Sequence, residues 1–275
     1  MYSGGVARRL DMLTLYRAAV QHPEAEVALL MRVFGHHRGA LPERLGEDFA
    51  GTAAVAGAFV RFADHHRAVA VERDAPTLQW SRRRAAAELS PDEFRRLRFV
   101  HADVRRARHA PVDLIATLNF SVGELHTRAE LLAYLGSARR RLRPGGLLAL
   151  DLYGGPGSQR VITQDRPFHA PDGRRLTYRW EQRSFDHATG MTRCRIHYLD
   201  ARGRRLSPPR GAFNYHWRLW SIAELHDALR DAGFTPATWC DTLDPDTGQS
   251  DGHYRPVATL PAREDFVAYV VGLRV

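Results

Sequence analysis

The sequence predicts an α/β fold, a doubly wound and mostly parallel sheet carrying an inserted antiparallel β-meander. Three observations lead there. Short, continuously apolar strands alternate with helical segments as far as Gly155, the pattern of a parallel sheet covered on both faces. After Gly154-Gly155-Pro156 the pattern changes to period two, as in strands with one buried and one solvated face. Acidic residues stand at the ends of the first three strands, where an open parallel sheet forms its ligand crevice.

Asp11 to Gln21 and Glu24 to Phe34 carry apolar residues at three- and four-residue spacing and read as two helices interrupted by Pro23. Leu45 to Phe49 is a short strand, followed after Gly51 by a helix from Thr52 to about Phe62. Ala68 to Glu72 is the second strand and Pro76 to Glu88 the next helix. Ser90-Pro91-Asp92-Glu93 has capping-box spacing and starts a short extra helix. Leu97 to His101 and Val112 to Leu118 are strands of the buried type. Thr127-Arg128-Ala129-Glu130 is another capping box, opening a helix that ends before Pro144-Gly145-Gly146; Leu147 to Leu152 is then an apolar strand. Leu176 to Phe185, Met191 to Leu199 and Phe213 to Trp220 form the meander. In its last strand Phe213, Tyr215, Trp217 and Leu219 share one face, and Asn214, His216 and Arg218 the other. Ser221 to Glu224 caps a helix closed by Gly233, and Phe266 to Leu273 is the final strand.

The 275 residues are enough to bury a full core without disulfides or metal. The formal charge is +9, yet there is no lysine, so a lysine Schiff base is excluded. The clusters Arg82–Arg84, Arg95/Arg96/Arg98, Arg105/Arg106/Arg108 and Arg139–Arg141 are scattered over several elements. They read as solvated helix faces rather than a nucleic-acid track. No apolar run has the length of a membrane span, and Met1 to Arg9 lacks the apolar core of a signal peptide. Cys194 and Cys240 stand far apart, as expected of free thiols in a reducing cytoplasm. The pairs His36/His37 and His65/His66 lack ligand spacing, and the fourth strand has no carboxylate set for magnesium, so no metal is expected.

Glu47 and Asp48 end the first strand, Glu72 the second, and Asp103 follows the third. Gly51 lets the backbone approach a ligand where no Cβ would fit. An acid at the end of strand two is placed for the two hydroxyls of a ribose, and Asp103 for an adenine amino group. A nicotinamide dehydrogenase would need G-x-G-x-x-G after the first strand, and only one of those glycines is present.

At these residues the chain resembles the class I S-adenosylmethionine-dependent methyltransferases. Glu47-Asp48-Phe49-Ala50-Gly51-Thr52-Ala53 matches their acid-x-Gly-x-Gly-x-Gly loop, with Phe49 and Ala53 in place of the outer glycines. It looks more narrowly like a subgroup whose loop reads Glu-Asp-Phe-x-Gly-Thr-Ala. That likeness extends to Tyr16 with Val20-Gln21, to Leu118-Asn119-Phe120-Ser121, to Leu150 to Gly155, and to Trp217 to Trp220 before the helix ending Ala232-Gly233-Phe234. The resemblance implies a seven-stranded Rossmann-like methyltransferase sheet that binds S-adenosylmethionine and releases S-adenosylhomocysteine. Glu47 and Gly51 would line the methionyl end, Glu72 the ribose, and Asp103 with Val104 the adenine. Phe49, Thr52, Arg73 and Asn119 complete the implied cofactor set.

A sulfonium carries its own reactivity, so the protein must chiefly align the nucleophile and exclude water. Asn119 ends the fourth strand, where donor methyl and acceptor should meet, and serves equally well as a strand-end cap. Asn119-Phe120-Ser121 is not the Asn-Pro-Pro-Tyr motif of many enzymes that methylate planar amino groups. Tyr16 and His216 are further catalytic candidates, although a histidine on a polar face is more often only solvated. Gln21, Tyr153, Trp180, Trp217 and Arg218 are candidates for the acceptor pocket, although aromatics of an inserted sheet more often form its own small core. The expected organisation is N-terminal helices over the active site (1–40), a cofactor domain (41–155 and 221–275) and an inserted acceptor lid (156–220). Such an insertion resembles small-molecule N- and O-methyltransferases, so a small-molecule acceptor is expected. An RNA or protein methyltransferase would instead show an open cleft and a continuous arginine stripe. A non-catalytic cofactor-binding protein would bind the donor and turn nothing over.

Overall fold

The computed structural model describes residues 11–243, 250–260 and 262–275. Met1 to Arg9, read above for a signal peptide, lies outside the described residues.

Two helices open the described chain, α1 (Met12–Val20) and α2 (Pro23–Arg38). Asp11 caps α1 by accepting from the Thr14 amide at 2.8 Å, and Pro23 sits at the start of α2, where its missing N–H costs nothing. The main sheet begins with β1 (Arg44–Asp48), β2 (Arg67–Glu72), β3 (Leu97–His101) and β4 (Val112–Thr117), with α3 (Ala54–Phe62), α4 (Ala75–Glu88) and α5 (Pro91–Arg96) between them. A 3-10 turn (Ser121–Glu124) and α6 (Arg128–Arg141) lead into β5 (Leu142–Gly154). The capping boxes at Ser90, Thr127 and Ser221 all form.

Strands β1 to β5 pair in parallel in the order β3-β2-β1-β4-β5. The chain then leaves the sheet to build a second, antiparallel one from β6 (Ile162–His169), β7 (Arg175–Asp186), β8 (Met191–Leu199) and β9 (Phe213–Arg218). It returns through α7 (Ile222–Asp231), β10 (Phe234–Cys240), β11 (Arg255–Val257) and β12 (Phe266–Arg274). β12 inserts antiparallel between β5 and β10, and β11 pairs on the outer edge of β10.

The main sheet therefore has eight described strands, one more than the seven expected, because the three-residue β11 extends the edge. The inserted meander has four strands rather than three. The first, β6, reads Ile-Thr-Gln-Asp-Arg-Pro-Phe-His and lies almost wholly exposed, so it carries no apolar alternation to reveal it. Its Pro167 is tolerated because β6 is an edge strand.

Two hydrophobic layers cover the main sheet, one including α2 and α3 residues and the other α6 and α7 residues. A third cluster joins Leu15 and Ala19 of α1 to Leu176, Ile196 and Tyr198 of the inserted sheet. So α1 belongs to the insertion, whereas α2 packs into the main core.

In the arginine clusters Arg82, Arg83, Arg95, Arg98, Arg106, Arg108 and Arg140 are exposed, as expected of solvated faces, whereas Arg96, Arg105 and Arg141 are drawn into the structure. One guanidinium nitrogen of Arg96 donates to the carbonyls of Val60, Ala63 and His66 at 2.6, 2.9 and 2.9 Å, tying the end of α3 to the turn into β2. Arg141 is buried against Asp48, and Arg105 binds Asp103 and Glu130. At Arg141 and Arg105 a planar fork of N–H donors satisfies oxygens that a point charge could not reach together. Among the described residues no helix is long and apolar enough to cross a membrane.

Candidate active site

The site is built where β1, β2, β3, β4 and β5 end. Among the described residues, the four non-glycine residues with positive φ are Phe49, Ala53, Asn119 and Phe120, at +52°, +54°, +58° and +61°. All four follow the carboxyl ends of β1 or β4. Backbone in this region costs about 1–3 kcal/mol per residue and persists only where the surroundings impose it. Gly51 has φ +51°, so positions 49, 51 and 53 are all left-handed. The loop therefore keeps a three-glycine path although two of the glycines are absent.

The hydrogen bonds around this loop explain how the path is held. Ala53 donates to the Ala50 carbonyl at 2.7 Å, and Ala50 to the Val71 carbonyl at 2.9 Å. Gly51 donates its amide to Glu72 Oε2 at 2.9 Å, while Glu72 Oε1 accepts from the Asp74 amide at 2.8 Å. Buried Ser81 closes the far side by donating to the Gly51 carbonyl. Thr52 donates its hydroxyl to Gln21 Oε1, so Gln21 sits on this loop and does not line the large cavity described below.

The two acids ending β1 have separate fates. Asp48 is held by both terminal nitrogens of Arg141, at 2.8 and 2.7 Å, and by the Tyr134 hydroxyl at 3.1 Å. It is a buried structural anion with every oxygen engaged. Glu47 is 4% exposed and accepts the Ala56 amide at 2.7 Å in the first turn of α3. Burial pushes its carboxyl up to about 8 despite that bond.

Two further carboxyls face the same rim, and sequence reasoning missed both as site residues. Asp151 on β5 is 6% exposed and accepts from the amides of Asn119 and Phe120 at 2.8 and 2.7 Å, which clamps the strained turn. Burial, with Glu26 nearby, raises it to about 8. Glu26 in the first turn of α2 has one oxygen, Oε2, enclosed without a hydrogen-bond partner. Its burial raises it to about 7. The available signal for Asp151 was a lone carboxylate inside the apolar run Leu147 to Leu152; Glu26 gave none, since acids are common in first helical turns.

Alongside the rim a shallow cleft is lined by Phe49, Glu72, Arg73, Asp103, Val104 and Arg105, with Glu124 and Leu125. Asp103 is bound by Arg105 through its Nε at 3.0 and 3.1 Å and through its amide at 2.9 Å. That guanidinium holds the carboxyl below the usual range.

Above the rim a large, partly open cavity lies between the two sheets, lined by Phe120, Tyr153, Tyr178, Trp180, Tyr254 and Phe266 among others. Tyr153 donates to Gln182 Oε1 at 3.3 Å, and Gln182 donates to the Ser158 carbonyl. Trp217 is 4% exposed and stacks 4.2 Å from Tyr215 and 5.9 Å from Trp180. Tyr16 packs 5.1 Å from Phe213, and burial raises its hydroxyl pKa.

Two candidates lie elsewhere. Arg218 stacks its guanidinium 3.8 Å from the Trp220 ring and pairs with Glu224 at 2.9 Å, turned away from the large cavity. His216 is exposed on the outer face of β9, because alternation turns Tyr215 and Trp217 inward. His37 accepts from the Trp239 indole at 3.1 Å and His66 stacks on Phe59, so one member of each histidine pair is occupied in packing.

No protein-family model matches the chain, and no curated protein sequence matches it. Solved structures do. CalS10, an amino pentose methyltransferase from Micromonospora echinaspora, superposes with TM-score 0.66 at 20% identity over 95% of each chain. DesVI of Streptomyces venezuelae gives TM-score 0.67 at 17% identity, again over 95% of each chain. The sugar N-methyltransferase KedS8 from a Streptoalloteichus species gives 0.65 at 21% identity, covering 100% of this chain and 96% of that one. The chain is thus similar along its whole length to class I methyltransferase structures, insertion included, and has their fold.

Proposed function

We propose that this chain is an S-adenosylmethionine-dependent methyltransferase acting on a nitrogen or oxygen of a small-molecule acceptor. The observation that carries the reading is the left-handed path at Phe49, Gly51 and Ala53, tied by the Gly51 amide to Glu72. Such a path keeps Cβ atoms clear of a ligand, and the carboxylate beside it suits a pair of ribose hydroxyls. The residues also fit the charge of this cofactor. A buried carboxyl oxygen without a partner, as at Glu26 Oε2, is costly until a cation meets it.

When bound, the cofactor supplies an electrophilic methyl group on a sulfonium. Glu72 and Gly51 would hold its ribose side, Val104 and Asp103 its base, and Glu47 and Glu26 its cationic end. Asp151 fixes the Asn119–Phe120 turn, so these residues meet the acceptor at a set angle. The inserted sheet would cover the acceptor from above. The large cavity suits a small molecule with apolar and polar faces. Two of the neighbours named above are described as acting on an amino pentose and on a sugar nitrogen, which favours nitrogen as the acceptor atom.

The test is incubation with methyl-labelled cofactor and separate metabolite, RNA and protein fractions. Label is expected in metabolites. Label confined to RNA or protein would overturn the acceptor class, and label in no fraction would favour a binding protein.

A further inference from the structure

The segment joining β4 to α6 has two working faces. One borders the cofactor cleft through Glu124 and Leu125. The other is laced to β9 and the residues that follow it. The Trp217 indole donates to Glu124 Oε1 at 2.9 Å, the Trp220 indole to the Leu125 carbonyl at 2.9 Å, and Arg218 to the His126 carbonyl at 3.2 Å. Gly123 backs directly onto this strand, since a Cβ there would fall 2.9 Å from Trp217 Cβ and Cγ. Within this seam Glu124 is shared. Its second oxygen accepts from Arg73 at 3.0 Å, and Arg73 follows Glu72 and lines the cleft.

A single carboxylate thus joins a cleft arginine to an indole of the roof. The Trp217 ring lies 6.4 Å from Phe120 and 5.9 Å from Trp180, both of which line the acceptor cavity. The two bonds of Glu124 differ in kind. Its pair with Arg73 is half-exposed, with side chains 27% and 59% accessible, and solvent-screened pairs of this kind are weak. Its bond to Trp217 reaches an indole that is almost wholly buried. The weak bond is the one a ligand in the cleft must touch, and the strong one holds the acceptor roof.

We propose that Glu124 is a positioning residue that couples the two sites: filling the adenosyl cleft resets Arg73 and Glu124, and Trp217 carries the change into the acceptor cavity. The donor therefore prepares the roof before the acceptor arrives. This rests on the cofactor reading above, and the experiment separates the two.

The protein is labelled with 5-fluorotryptophan, and its 19F spectrum is titrated with S-adenosylhomocysteine while calorimetry follows binding. The Trp217 resonance is assigned as the one missing from Trp217→Phe. It is expected to shift on titration in the wild type. In Glu124→Ala the shift is expected to be lost, with affinity retained within about fivefold, the most an exposed ion pair contributes. Glu124→Gln, which keeps an acceptor for the indole, is expected to hold the ligand-free Trp217 position yet lose most of the shift. Heat of binding without a Trp217 shift in the wild type, or an undiminished shift in Glu124→Ala, overturns the coupling alone. Neither heat nor shift in the wild type overturns the cofactor reading and the coupling with it.

Discussion

The floor of the ligand space, at the exits of β1, β4 and β5, differs from its roof, the β6–β9 sheet, in backbone and in charge. The floor holds the four left-handed non-glycine residues and three carboxyls raised to about 7 or 8, Glu26, Glu47 and Asp151. The roof is an antiparallel ladder, whose ligand-facing side is aromatic and whose main irregularity is a bulge between Gln182 and Ser184. On the proposed reading, strain and under-partnered charge mark where the cationic donor would be gripped, and the aromatic ladder would shape what sits above it. The same distinction separates two adjacent residues, since Asp48 is satisfied by Arg141 and Tyr134 whereas buried Glu47 accepts the Ala56 amide and, among the described residues, has no cationic side chain bonded to it.

Changes to the floor should have the larger effects. Gly51→Arg is expected to abolish S-adenosylhomocysteine binding by calorimetry. The fold should survive, because a Cβ there meets only the Phe49 carbonyl, at 3.9 Å, and the left-handed backbone adds about 1 kcal/mol. Asp151→Ala strands two buried amides at about 1–3 kcal/mol each, so a clear fall in melting temperature should accompany loss of methyl transfer.

Glu26→Gln sharpens the comparison, because function and stability should separate. Affinity for S-adenosylmethionine is expected to fall about tenfold, the scale of one charge-assisted contact, while the melting temperature holds or rises. The pH dependence follows from the same three acids. Their carboxyls lie above the ordinary range in the folded protein, so it holds more protons than the unfolded chain between about pH 4 and 8. Their contribution to stability is present in full at low pH and lost as pH rises through 7 and 8. A cationic ligand favours the ionised forms, so its affinity should increase over that interval. Melting curves and calorimetry from pH 6 to 9 measure both trends. The smallest effect on the donor is expected from the roof: Trp180→Leu should leave S-adenosylhomocysteine affinity within about twofold, since its indole lines only the acceptor cavity.

What was legible in the sequence follows the same division. The parallel strands were plain because both their faces are buried, and the acids at their ends could be read by register. The left-handed path at Phe49 and Ala53 could not be seen, because neither residue type advertises that conformation. Asp151 and Glu26 were missed because their importance lies in what surrounds them after folding. In the roof, β7 to β9 alternate and were visible, whereas polar, solvent-facing β6 was not. Gln21, expected at the acceptor pocket, is bonded to Thr52 of the loop after β1, a tertiary contact that sequence spacing does not reveal.

The central claim is that Glu72 and the Gly51 loop grip an adenosyl group. Titration calorimetry of the wild type and of Glu72→Ala with S-adenosylhomocysteine tests it most directly. Saturable one-to-one heat that disappears in the variant is the predicted result; a wild type that gives no heat, or a variant that binds as tightly, would contradict it.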